Sequence, residues 1–175
     1  MQLLSTRVVP ERRLIVMRHA TADFGGGGDA LRPLSERGRG EAKRVGQRLR
    51  RLGLTPDRVL CSTATRCRET WEGIAKAFEE AIPIGIESAL YNASSRRLLE
   101  AIAEVEEAKT LIVLAHNPGV SVLTLDLAGG SASPDPRLRQ GFAPATFACF
   151  AVEGPWSLTS RRSVRLMHYE GPSDA

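Results

Sequence analysis

The chain has 175 residues, enough for one domain with a substantial core, and its 42% apolar and 25% charged residues are those of an ordinary globular protein. A formal net charge of +4 suits an anionic partner such as a phosphate, but the arginines are scattered and aromatics make up only 5%, so no nucleic-acid platform is expected. No apolar run approaches the ~20 residues of a membrane helix, and three cysteines without a CxxC pair point to a reducing cytoplasm rather than to disulfides or structural zinc.

Residues 1–12 lack the apolar centre of a signal peptide and are expected to form a frayed extension. Residues 13–170 then read as one domain. The apolar run 14–17 predicts a short, fully buried strand. The glycine-rich stretch 24–29 predicts a flexible loop. Ser35 can cap a helix in which Ala42, Val45, Leu49 and Leu52 share one face, ended by Gly53. A second strand is expected at 58–61, then a helix carrying Cys67, Trp71, Ile74 and Phe78 on one stripe. A strand at 82–87 and a helix over 95–107 follow, with Leu98, Leu99, Ile102 and Val105 facing inward. The clearest buried strand is 110–115; a helix over about 120–128 and a long loop over 129–141 come next. Residues 146–152 and 163–169 alternate as strands and predict a hairpin, and 171–175 a disordered tail. Strand and helix alternate, which predicts an α/β fold: a three-layer sandwich with a central, mostly parallel sheet flanked by helices.

Three of these strands run into polar residues. The first ends in Arg18 and His19, the second in Ser62 with Arg66 beyond it, the fourth in His116 and Asn117. Ligands of open α/β sheets bind beyond the carboxyl ends of the strands, so parallel strands bring all three ends to one edge. Two guanidinium groups there can grip a phosphoryl group. A neutral imidazole is a nucleophile near pH 7, adjacent arginines disfavour its protonation, and a second histidine can donate to developing charge. The set suits phosphoryl transfer through a phosphohistidine, with no metal or cofactor required.

Four segments carry a resemblance. "RHA" at 18–20 looks like the Arg-His-Gly/Ala signature of the histidine phosphatase superfamily, which includes the cofactor-dependent phosphoglycerate mutases. "RPLSERGRGEA" at 32–42, "CSTATRCRET" at 61–70 and "LAHNPGV" at 114–120 resemble the family's later segments, in its order. The resemblance implies a phosphoglycerate mutase-like fold, His19 as the phosphorylated nucleophile, Arg18 and Arg66 as phosphoryl ligands, and His116 completing the pocket. Arg32, Ser62 and Asn117 are further candidates for substrate contact. The short chain, the Ala after the histidine and "RPLS" resemble the SixA-type phosphohistidine phosphatases. Branches that cleave esters supply a carboxylic acid to the leaving alkoxide. The position after His116 is Asn117, and only Asp23 or Glu87 offers itself as a donor. The expected substrate is therefore a phosphohistidine-bearing protein. The alternatives are a small phosphorylated substrate cleaved by a phosphomonoesterase of the same superfamily, or a phosphate-recognising module without turnover. "CSTATR" has one residue too few between Cys61 and Arg66 for a cysteine phosphatase loop, and the four glycines lack the Gly-Lys-Ser/Thr of a Walker loop.

Overall fold

Residues 14–17 are apolar on every side, and a strand of that kind must be covered on both faces. The computed structural model, which describes residues 11–25, 27–129 and 135–173, does so. Leu14 and Val16 join one buried cluster; Ile15 and Met17 join another on the opposite face of the sheet. The strand, β1, spans Arg12–Arg18. It thus begins at the last residue of the expected extension; residues 1–10 lie outside the described residues.

The chain continues through α1 (Glu36–Arg51), β2 (Arg58–Ser62), α2 (Thr65–Ala75), β3 (Ile84–Glu87), α3 (Ser95–Ala103), β4 (Thr110–Ala115), α4 (Gly119–Leu127), β5 (Phe147–Val152) and β6 (Val164–Glu170). The six strands form one sheet in the order β3-β2-β4-β1-β5-β6. The first four in that order are mutually parallel, and β5 runs antiparallel to both β1 and β6. Helices α1 and α2 cover one face through Ala42, Val45, Leu49, Trp71 and Ile74. Helices α3 and α4 cover the other through Leu98, Ile102, Val120 and Leu123. The expected three-layer α/β architecture is the observed one.

Two boundaries differ from the periodicity. Helix α3 stops at Ala103 rather than at 107. The Asp57 carboxylate accepts from the amides of Lys109 and Thr110 and turns the chain into β4, so the residues before it are spent on the return. Strand β3 starts at Ile84 because the ladder opens with Val59 N–H donating to the Pro83 carbonyl. The loop expected at 129–141 holds a short 3₁₀ turn, Pro136–Gln140; residues 130–134 lie outside the described residues, as do 174 and 175 of the tail. No helix among the described residues is long and apolar enough to cross a membrane.

Register positions the site. Arg18 lies beside Ala115, and Cys61 beside Leu114. The chain therefore leaves β1 at His19, β4 at His116 and β2 at Ser62 within one small patch of the sheet edge.

Candidate active site

The His19 and His116 rings lie with their centroids 5.2 Å apart. His19 is fixed from its own backbone neighbour: Nδ1 donates to the Ala20 carbonyl at 2.8 Å, which leaves the lone pair on Nε2. Arg66 Nε donates to that Nε2 at 3.2 Å. Burial pushes the His19 pKa down to about 3, and the charges of His116, Arg66 and Arg18 act in the same direction. The imidazole is therefore neutral, with its free electron pair turned to the cationic side of the site.

Arg66, on the first turn of α2, is the hub. Its guanidinium reaches His116 Nδ1 at 3.2 Å, the Asp29 carbonyl at 2.6 Å and the Asp29 carboxylate at 2.9 Å. Because Arg66 only donates, His116 accepts at Nδ1, and its Nε2–H then donates to Ser62 Oγ at 2.8 Å. Burial, with Arg66 beside it, lowers His116 to about 4. Arg18 holds the Phe142 carbonyl at 2.7 Å, and Asn117 Nδ2 donates to the same oxygen at 2.9 Å.

These groups line a cavity of about 540 Å³ whose wall includes Arg18, His19, Arg32, Arg66, His116 and Asn117. Of the residues expected to contact substrate, Ser62 is not among the cavity-lining residues: it is fully buried, and its hydroxyl bonds His116 Nε2. Asp23 and Glu87 are not among the cavity-lining residues; Glu87 lines a separate depression with Arg58 and Glu104.

The cavity's carboxylate is Asp29, at the end of the glycine-rich stretch. Asp29 opens a 3₁₀ turn, Asp29–Leu31, directly after the glycines. It accepts from Tyr91 Oη at 2.6 Å, from Arg66 at 2.9 Å and from Arg32 at 3.2 Å. Those hydrogen bonds, Tyr91's foremost, hold its carboxyl far below the usual carboxylate range. A signal existed: an acid three residues before Arg32 at the end of an apolar-poor loop. Nothing in the sequence says that the loop folds back on Arg66.

The segment after β1 is clamped by residues that periodicity alone leaves unexplained. Thr70 Oγ1 accepts from the Ala20 amide at 3.0 Å and donates to the Arg66 carbonyl at 2.6 Å. The buried Glu41 carboxylate takes the Thr21 amide at 2.9 Å, the Thr21 hydroxyl at 3.1 Å and Arg37 Nε at 2.8 Å. Helix α1 comes so close here that a Cβ on Gly38 would lie 1.9 Å from the Thr21 carbonyl oxygen. Likewise a Cβ on Gly119, in the turn after His116, would lie 2.1 Å from the Ala93 oxygen. Among the described residues no group of three or more His, Cys, Asp or Glu side chains is placed to hold a metal ion.

Residues 14–94 match the family model for the histidine phosphatase superfamily (branch 1). An uncharacterized protein of Mycobacterium tuberculosis is 36% identical over 146 residues, which is 81% of this chain and 90% of that one. Among solved structures, a candidate phosphohistidine phosphatase SixA from Agrobacterium tumefaciens superposes with a TM-score of 0.80 at 29% identity, covering 92% of this chain and 98% of that one. Its counterpart from Nakamurella multipartitia gives 0.83 at 28% identity, covering 93% and 96%.

Proposed function

The chain belongs to the histidine phosphatase superfamily and is a phosphatase of that kind, and from that premise we propose that it removes the phosphoryl group from phosphohistidine on a protein. The supporting observation is the state of the one carboxylate among the described cavity-lining residues. Asp29 is held ionised by Tyr91, Arg66 and Arg32. It has no proton to give an alkoxide. An imidazole leaving group needs none from the enzyme, because it departs carrying a proton on its distal nitrogen. The names of the SixA proteins from Agrobacterium tumefaciens and Nakamurella multipartitia point the same way.

In this reading His19 Nε2 attacks phosphorus in line. The P–N bond of the substrate breaks, and its electron pair leaves with the substrate imidazole. Arg66 and Arg18 carry the charge of the equatorial oxygens. The Ser62 hydroxyl is both donor and acceptor. Once Arg66 turns to the phosphoryl group, His116 keeps Nε2–H on Ser62, takes a proton at Nδ1 from the incoming phosphoryl group, and presents that Nδ1–H to a phosphoryl oxygen. Water then attacks phosphorus, the bond to His19 breaks, and phosphate leaves. The cavity mouth suits a side chain offered on a protein: Phe24 stands 97% exposed at its rim, with the Arg32 guanidinium 5.0 Å from its ring centroid. The three free thiols, all buried, accord with action in a reducing cytoplasm.

Acid-labile phosphate trapping tests this directly. A phosphohistidine-bearing phosphocarrier protein, phosphoimidazole and a panel of small phosphate esters are offered to the wild type and to His19→Ala. Labelling of the wild type alone, with turnover of the phosphohistidine protein well above that of the esters, is expected. Brisk ester turnover with an inert phosphohistidine protein gives the site to a small-molecule phosphomonoesterase. Phosphate binding with no labelling reduces it to a recognition module.

A further inference from the structure

The fork of Arg66 is already gripping an anion that belongs to the chain. Both terminal nitrogens point at one residue: one bonds the Asp29 carbonyl at 2.6 Å, the other its carboxylate at 2.9 Å. The carboxylate's other oxygen faces Arg32 at 3.2 Å, and Tyr91 Oη donates at 2.6 Å to the oxygen that Arg66 holds. Arg66 has a side chain 5% exposed, whereas Asp29 is 49% exposed and rides on a loop whose glycines 27 and 28 both sit at φ +105°. The anchored partner is therefore the arginine and the removable one the aspartate. A planar carboxylate with an adjacent carbonyl presents to a guanidinium the two-point pattern that two phosphoryl oxygens present.

We propose that Asp29 is a resident anion that sets the affinity and charge threshold of the phosphoryl site: substrate enters by displacing it from Arg66. The inference rests on the reading that Arg66 grips the phosphoryl group. A monoanion can match the fork's geometry but brings no more charge than Asp29 itself, whereas a terminal phosphoryl dianion matches both nitrogens and brings the greater charge. Terminal phosphoryl groups are thus selected over diesters and carboxylates. Affinity for any ligand is reduced by the fraction of time for which the fork is free. Tyr91 lies outside the catalytic set and holds the aspartate in its seat.

Orthophosphate is the probe, titrated calorimetrically into the full-length wild type, Asp29→Asn and Tyr91→Phe, with vanadate inhibition as a second measure. Asp29→Asn is expected to bind orthophosphate about tenfold more tightly, the gain when a neutral amide in place of the carboxylate raises the fork's free fraction about tenfold. Tyr91→Phe alters no charge at neutral pH; it loosens the seat and is expected to tighten binding by about two- to threefold. Through-space repulsion alone would tighten Asp29→Asn and leave Tyr91→Phe at the wild-type value, and that result overturns displacement. So does unchanged or weaker binding in Asp29→Asn. A phosphate-bound crystal structure with Asp29 still on Arg66 has the same force. Failure of the phosphohistidine reading leaves these outcomes intact, because orthophosphate has no leaving group; absence of orthophosphate binding in all three proteins removes the phosphoryl site and the gate together.

Discussion

Replacing Ser62 with alanine separates two roles for a residue that the sequence places near substrate and the structure places against the His116 ring. The hydroxyl lies 2.8 Å from His116 Nε2, at a fully buried position. Without it, that nitrogen keeps Cys67 Sγ at 3.6 Å, a weak partner. An unsatisfied buried donor or acceptor costs about 1–3 kcal/mol, which for a chain of this size lowers the melting temperature by roughly 2–12 °C. The catalytic consequence is separate. A group that orients a working histidine from behind is worth about 10- to 100-fold, on the scale found for histidines held at metal sites. The assay is steady-state turnover of phosphoimidazole, with melting temperature measured in parallel. A fall in kcat of that size with KM near the wild-type value is expected. An intact kcat with a raised KM would refute the positioning argument and return Ser62 to the cavity wall. An unchanged enzyme would refute both.

Three other perturbations follow from the same geometry. Arg66→Lys keeps the charge but loses the two-point fork; kcat/KM on phosphoimidazole is expected to fall by about 10²–10³, the scale for losing a preorganised donor to transition-state charge. His19 and His116 are held near 3 and 4 in the folded state against an ordinary 6.5. Between those values the unfolded chain binds protons that the folded chain refuses, so stability falls as pH drops below 6.5. From pH 7.0 to 5.5 the pair should cost about 2.5 kcal/mol in urea melts, and a variant with both histidines replaced by asparagine should flatten that slope. Gly38→Ala forces a methyl against the Thr21 carbonyl, 1.9 Å from the new Cβ. The expected loss is about 1–3 kcal/mol by thermal melting, together with reduced turnover, since Thr21 is two residues from His19.

Much of this site is legible because strand ends are. An apolar run with no alternation announces a buried parallel strand, and parallel strands share one carboxyl edge. Arg18, His19 and His116 follow from that reasoning alone, and Arg66 follows once it is placed on the first turn of the next helix. Ser62 shows the limit of the method. Its position beside the site is set by topology, but which way its hydroxyl turns depends on register with β4, where Cys61 pairs with Leu114. Asp29 shows a different limit. It lies in a loop without periodicity, and its contacts join residues 29, 66 and 91 through the folded path of the chain. Glu41 was hidden for the opposite reason. It sits on a helix crowded with arginines, where an acid reads as a surface ion pair, yet its side chain is 1% exposed and holds the backbone after His19.

The spacing in residues 62–70 gains a physical reason from these contacts. Ser62, Arg66 and Thr70 fall four apart, and Arg66 and Thr70 therefore share a face of α2. Together they span both arms of the site. Ser62 meets His116 after β4, Arg66 bridges His19 and His116, and Thr70 takes the Ala20 amide beside His19. The link between the arms is thus a line of side chains from the end of β2 into α2, packed under both histidines. Insertion of one residue between Ser62 and Thr70 would rotate the helix face by about 100° and take the fork away from both rings while leaving every strand in place. The tolerance of this segment to insertion should therefore be lower than that of the glycine loop, where length is not coupled to a helical phase. What the four-residue spacing preserves is the phase of one helix against two strand ends.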